Sequence, residues 1–405
     1  MSFMDFIQDK ITTIHDFCIE EEKLKKLLED IVIERPVAVV IPMLYKEIHS
    51  PSLETIINHL NKCAYIHEVV VALAASNAEE YAKVKQYFKR LNLPHLLVWC
   101  NGPRVQEVLL SLKESAIDLS MFAGKGKDAW LAAGIASLES YAIVLHDADI
   151  STYSSLIPAK LLFPVVEPEL DFFFNKGYYA RINFDNRMMY GRVSRLFVQP
   201  LLDALKTKVP GSDFLDYLCA FRYLLSGEFA LTSDLELNIR VPGDWGLEIG
   251  ILAEVYRNAA PKRICQVDLG YYEHKHKEIG ERPDKGLSKM TYDITRTLLR
   301  TLTEVDSLDI SREFLLSLRV LYKRTAQNLI RQYDADALCN GLEYNRHEEE
   351  SIVDIFSKML LEAGESYINE PTGILLPDWL RAMSAMPNIR KKLRDAARLD
   401  AETRE

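Results

Sequence analysis

The sequence predicts an α/β fold: a Rossmann-like, mostly parallel sheet preceded by N-terminal helices and followed by a helical C-terminal extension. Three observations lead there. Four short runs, residues 37–41, 68–75, 96–99 and 142–145, are almost wholly apolar, as strands covered on both faces are. Helical patterns at 52–62, 79–91, 105–113 and 128–138 separate them at the spacing of successive βαβ crossovers. The last apolar run stops at two aspartates, Asp147 and Asp149, at the strand end where such sheets hold ligands.

Taken in order, residues 3–31 come first. Phe3, Phe6, Ile7, Ile11, Ile14, Phe17, Leu24, Leu27, Leu28 and Ile31 recur at helical spacing, which predicts one or two helices. These either pack on their own domain or meet a second subunit, and a homodimer is the expectation. Pro36 closes the segment and the βαβ alternation follows. Beyond Ile150 the pattern changes. Residues 170–175 and 177–182 read as two strands about a turn, 192–205 and 214–225 as helices, and 228–231 as a short strand. A helix over 245–257 and a strand over 264–269 lead into the His-rich Tyr271–Lys277 stretch. Residues 287–365 read as mainly helical, and the charged 390–405 as a frayed surface helix. The expected division is an N-terminal helical segment (1–35), a core (36–280) and a helical region (281–405). Within the core, 36–150 is the nucleotide-binding half and 151–280 holds the second substrate.

Composition narrows the function classes. With 48% apolar and 27% charged residues in 405, the chain can bury a large core. A net charge of −10 argues against general binding to nucleic acid or an anionic membrane. No apolar run approaches 18 residues, and the acidic N-terminus is unlike a secretion signal. The six cysteines are scattered with no C-x-x-C pair, which suits reduced thiols and a cytoplasmic setting.

The chemistry centres on Asp147-Ala-Asp149. In extended chain, residues i and i+2 project to one side, so both carboxylates point one way and Ala148 the other. Like charges this close repel unless a cation lies between them, and a hard divalent ion carried in by a diphosphate answers that need. An acidic loop start is the plain alternative. Gly124-Lys-Gly-Lys-Asp-Ala129 satisfies G-x-G-x-x-A, with Asp147 near the distance of a ribose-binding acid, so an NAD-dependent dehydrogenase is a rival reading. Against it, the glycines sit late in the sheet and the acidic end carries one aspartate too many. The other reading is a flexible turn that presents Lys125 to a diphosphate or uracil. His274-Lys-His276-Lys277 is either a surface basic cluster or a source of one imidazole for an octahedral metal. Glu228, Asp244 and Glu248 lie in aromatic settings of the kind sugar sites use. Arg181 and Arg192-Val-Ser194 supply forks and a hydroxyl suited to phosphate or carboxylate.

Several ordered stretches carry a family resemblance. They are Asp147-Ala-Asp149, Asn175-Lys-Gly-Tyr-Tyr179, Gly191-Arg-Val-Ser194 with Gln199-Pro-Leu201, Ser226-Gly-Glu-Phe-Ala230, Trp245-Gly-Leu-Glu-Ile-Gly250, and Gln266-Val-Asp-Leu-Gly270 with His274. Together, over residues 36–280, they resemble the glucosyl-3-phosphoglycerate synthases. Those are GT-A-fold retaining glycosyltransferases that move glucose from UDP-glucose to 3-phosphoglycerate, a step toward the compatible solute glucosylglycerate. The resemblance implies a core that binds a nucleotide sugar and Mg2+ or Mn2+, held by Asp149 and His274. Asp149 and Glu228 become the catalytic pair, with Glu228 holding the glucose hydroxyls. Pro42, Leu44, Glu47, Lys125 and Asp147 would contact the donor nucleotide. Gly191, Arg192, Ser194 and His276 would hold the acceptor.

Three departures stand out: Ala74-Ala-Ser-Asn77 in place of an acidic or Ser-rich turn, Ser194 for the commoner Thr, and His276-Lys277 for Asn-Arg. A mannosylglycerate or mannosyl-3-phosphoglycerate synthase, using GDP-mannose with glycerate or its phosphate, is the nearest alternative.

Overall fold

The computed structural model describes residues 8–16, 20–183, 185–273, 286–371, 373 and 375–402. Strand β1 (Thr12–Ile14) and helix α1 (Glu21–Ile31) precede β2 (Val37–Leu44). Helix α2 (Pro51–Leu60), β3 (Glu68–Ala74), α3 (Ala78–Phe88) and β4 (His95–Trp99) continue the alternation, then α4 (Pro103–Glu114), α5 (Lys125–Ala136) and β5 (Ala142–Leu145). Local chemistry sets these boundaries. Pro51 and Pro103 open α2 and α4, and the Asn77 side chain accepts from the Glu80 N–H to start α3.

The second half begins with α6 (Leu156–Val166) and β6 (Phe174–Ala180), then a short ladder of β7 (Ile182–Asn183) and β8 (Met188–Met189). Next come α7 (Gln199–Lys208), α8 (Asp213–Cys219), β9 (Phe229–Thr232), α9 (Ser233–Asn238), β10 (Val241–Pro242), α10 (Leu247–Asn258) and β11 (Ile264–Tyr271). The C-terminal region holds α11 (Gly286–Asp306), α12 (Arg312–Cys339), α13 (Arg346–Asn369), β12 (Leu375–Leu376), α14 (Trp379–Ala385) and α15 (Ile389–Glu402).

Eight strands form the central sheet in the order β1-β11-β6-β9-β5-β2-β3-β4. All neighbours pair in parallel except β9, which runs antiparallel to both β5 and β6. The expected mostly parallel sheet is therefore present. Strand order reverses beside β2: β3 and β4 lie on one side, β5 on the other. That switch point opens a crevice at the strands' carboxyl ends. Val37, Val39 and Ile41 face one apolar layer with α1, α2, α3 and α6, while Ala38 and Val40 face the other with α5 and α10. Burial on both faces is why these strands read as unbroken apolar runs.

The structure corrects three expectations. Thr12–Ile14, expected within a helix, forms β1 and pairs in parallel with β11 at the sheet edge. The two strands expected over 170–182 are chiefly one, Phe174–Ala180. The terminal helix α15 is no frayed surface element: Ile389, Leu393 and Ala397 are fully buried, and Arg394 bonds Glu68 and Glu139 at 2.8 and 2.9 Å. Its charges misled the reading because several of them pair inward. The helical C-terminal region joins the same apolar layer as α5 and α10, with Trp379 stacked on Trp130 at 3.9 Å.

Candidate functional site

At the switch point lies a cavity of about 1070 Å3. Small-molecule pockets span roughly 300–1,000 Å3, so this one stands at the large end of that range. Every described residue singled out from the sequence lines it: Pro42, Leu44, Glu47, Lys125, Asp147, Asp149, Gly191, Arg192, Ser194 and Glu228. His274 and His276 lie outside the described residues. Asp147 and Asp149 both line the cavity, but so does the buried Ala148 between them, and β5 ends at Leu145, so the alternation expected of an extended strand is not seen here.

The acidic pair is held from behind by His146. Burial pushes its imidazole down to about 4, so the ring is neutral. Its Nδ1 stands 3.0 Å from the Asp147 carbonyl and must donate there, which leaves Nε2 to accept from the Tyr153 hydroxyl at 3.1 Å. From the front, Lys125 Nζ meets Asp147 at 2.5 Å and Glu248 at 3.6 Å. Burial alone would lower the Lys125 pKa, but Asp147, Glu248 and Glu228 together hold it above the ordinary lysine value. A third of the side chain is still reached through the cavity mouth, although protein crowds it on every side.

Lys125 was expected on a flexible turn. It is instead the first residue of α5, after Gly124 at φ +104°, a conformation that favours glycine. A helix N-terminus with a lysine on its first residue is a ready place for a phosphate.

Glu228 sits at the floor, 1% exposed. The aromatic setting read from the sequence is present around it: Tyr179 donates to it at 2.9 Å, and Tyr272 donates to its other oxygen. The two rings stack at 3.9 Å and 6°. Burial, then the Asp147 charge, pushes Glu228 up to about 7, against the pull of both hydroxyls and Lys125. Strand β6 grips the loop that carries it. The Gly177 N–H donates to the Glu228 carbonyl at 2.8 Å, and the buried Lys176 ammonium donates to the Ser226 carbonyl at 2.7 Å. Burial lowers Lys176 to about 8. Between those anchors a Cβ on Gly227 would come within 3.2 Å of the Asp147 carboxylate.

On the opposite wall Gly191 adopts φ +73°, and a Cβ there would meet the Tyr223 hydroxyl at 2.9 Å. Arg181 donates to that hydroxyl at 3.2 Å. Arg192 pairs with Glu348 at 3.7 Å, and the Ser194 hydroxyl has no hydrogen-bond partner among the described residues. Helix α13 fixes this loop from outside, where Arg195 forks onto Glu349 at 2.7 and 3.0 Å. Further along α5, Asp128 lines the cavity, pushed up to about 6 by burial.

Sequence reasoning missed Lys176, Gly227 and Tyr272, whose roles depend on strand pairing, and Lys289 and Met290, which α11 brings to the cavity. The available signals were the resemblance stretches that contain Lys176 and Gly227, and the His-rich stretch that contains Tyr272. Among the described residues no cluster of three metal-ligating side chains forms, and no helix is long and apolar enough to cross a membrane.

No family model matches the chain. A glucosyl-3-phosphoglycerate synthase of Methanococcoides burtonii is 57% identical over 98% of both chains. One of Persephonella marina is 40% identical, over 96% of this chain and 97% of that one. Among solved structures, glucosyl-3-phosphoglycerate synthase of Mycobacterium tuberculosis, in complex with Mn2+, UDP and phosphoglyceric acid, superposes with a TM-score of 0.53. It is 22% identical, and the match covers 72% of this chain and 86% of that one, which shows a shared fold. The reversed strand order, the acidic pair at its carboxyl edge and near-full-length identity to two named enzymes converge: the chain belongs to the glucosyl-3-phosphoglycerate synthase family of glycosyltransferases.

Proposed function

We propose that the chain moves glucose from UDP-glucose to 3-phosphoglycerate, with retention of configuration at the sugar. The observation that carries this reading is the convergence of every described candidate residue on one cavity at the switch point. In this proposal residues 36–150 form the donor half and 151–280 the acceptor half, with 281–405 bracing the acceptor loop through α13.

The donor set suits a hard divalent cation. Asp147 and Asp149 offer carboxylate oxygens on one wall, and the lysine at α5 faces the same space. Asp149, with an imidazole from His274, would hold Mg2+ or Mn2+. Such an ion supplies Lewis-acid stabilisation of charge on a departing diphosphate. Lys125 leaves part of its pairing with Asp147 to meet phosphate oxygens. Pro42 and Leu44 border the nucleoside, with Glu47 beside them. Glu228 accepts hydrogen bonds from glucose hydroxyls; pinned by two tyrosines, it orients the sugar rather than attacking it. Arg192, Ser194 and the Gly191 backbone receive the acceptor's phosphate or carboxylate, with His276 added from beyond the described residues.

A guanosine diphosphate sugar, GDP-mannose included, is a second reading that Asp128 favours. Guanine offers a carboxylate both N1–H and N2–H, where uracil offers only N3–H.

One experiment decides among these readings. Thermal shifts are recorded with UDP-glucose, GDP-mannose, GDP-glucose and NAD, each with and without Mn2+, followed by product analysis against 3-phosphoglycerate and glycerate. Mn2+-dependent stabilisation by UDP-glucose, with glucosyl-3-phosphoglycerate as product, is expected. Asp149→Asn should abolish transfer with an unchanged melting temperature; full turnover in that variant sinks the assignment.

A further inference from the structure

A second cavity, of about 260 Å3, lies where α11 and the end of α13 meet the loops before α5 and α10. It is smaller than the roughly 300–1,000 Å3 of pockets for larger ligands, so its occupant is an ion or a molecule of a few carbons. Arg296 and Arg300, one turn apart on α11, both line it.

Arg300 is the unusual group. It is 8% exposed, and its Nε is buried with no hydrogen-bond partner among the described residues. Glu304 stands 3.6 Å from that nitrogen, beyond hydrogen-bond reach, and its other oxygen is bonded by Arg257. Burial lowers the Arg300 pKa; the charges of Glu304, Asp244 and Glu254 oppose this and the Arg257 charge adds to it. A buried guanidinium left short of acceptors is costly, and native folds normally satisfy such groups. Among the described residues Arg296 makes one long contact, of 3.4 Å to the Glu370 carbonyl. Two carboxylates also reach the cavity. Asp244 already accepts from the Gly246 N–H at 2.8 Å, and the Glu370 side chain is exposed.

We infer that this cavity is a second anion site, which takes a small phosphate or carboxylate between Arg296 and Arg300. Guanidinium forks match the paired oxygens of such anions, and an anion here supplies the acceptors that Arg300 lacks. The site also shares a wall with the large cavity: Phe122, Ala123, Gly243 and Asp244 line both. That wall is tight. A Cβ on Gly243 would meet the Phe122 ring at 2.5 Å, and one on Gly126 the Pro242 carbonyl at 2.4 Å.

Inorganic phosphate is the probe. The 405-residue chain carries Arg192→Ala throughout, to weaken phosphate binding in the large cavity, and binding is followed by titration calorimetry and thermal shift. Phosphate should bind and raise the melting temperature. Adding Arg300→Met should weaken binding at least tenfold, as loss of charge-assisted hydrogen bonds implies. Arg296→Gln, on a partly exposed position, should weaken it several-fold and decides the matter if Arg300→Met does not fold. Absence of phosphate binding to the Arg192→Ala chain, or binding that these substitutions leave unchanged, overturns the inference. The inference does not rest on the transfer reaction and stands or falls separately from it.

Discussion

Glu228→Gln should make the protein more stable at pH 8 while damaging its chemistry. In the fold the carboxyl is pushed up to about 7, against an ordinary value of 4.5. Between those values the folded chain keeps a proton that the unfolded chain has released, so stability falls as pH rises from about 4.5 through about 7 and is then flat. At about 1.4 kcal/mol per unit, the ionised carboxylate costs on the order of 3 kcal/mol above pH 7. Glutamine has the same shape and nothing to ionise. Its carbonyl accepts from one tyrosine, and the other hydroxyl can turn to accept from the amide, so the buried pair stays satisfied.

The assay is urea unfolding of parent and variant in EDTA at pH 5, 6, 7 and 8. Other titrating groups are common to both proteins and cancel in the difference. The variant should gain on the parent by on the order of 2–3 kcal/mol between pH 5 and pH 8. Curves that stay parallel to within about 0.5 kcal/mol would refute the reasoning, because Glu228 would then titrate as it does unfolded. Activity should move the other way. A hydrogen bond from a sugar hydroxyl to a carboxylate is worth roughly 1.5–3 kcal/mol, so kcat/KM for the donor should drop about ten- to hundredfold.

Three further outcomes follow from the same geometry. Lys176→Met removes the donor to the Ser226 carbonyl together with a buried cation; kcat should fall about tenfold or more while calorimetry shows little loss of melting temperature. Arg195→Ala strands the buried Glu349, so chemical unfolding should register a loss of about 3–5 kcal/mol; a change below about 1 kcal/mol would mean that the fork carries no weight. Arg192→Ala should raise the acceptor KM far more than the donor KM in steady-state kinetics, and equal effects would mean that Arg192 is misassigned.

Much of the fold was legible because burial on both faces leaves a mark in the chain itself. Val37–Ile41, 68–75 and 142–145 read as strands from their apolar content, and the alternating helices made a parallel sheet the natural arrangement. The acidic pair was legible too, since two aspartates spaced for one face are rare at the end of such a strand. β1 was not. Three residues at a sheet edge carry too little pattern to compete with the helical spacing around them, and only pairing with β11 decided their state. α15 was misread for a related reason: the sequence shows that Arg394 is charged, but not that Glu68 and Glu139 wait for it across the sheet.

What the chain determined alone was a list of reactive side chains and the strand ends that present them. Distances between residues far apart in sequence belong to the tertiary structure. It brought Lys125 onto Asp147, set two tyrosines on Glu228, pressed Gly227 against Asp147 and left the Arg300 Nε buried with no hydrogen-bond partner among the described residues. Periodicity and composition are local properties, whereas a carboxylate's proton affinity and a guanidinium's missing partner depend on whatever the fold packs around them.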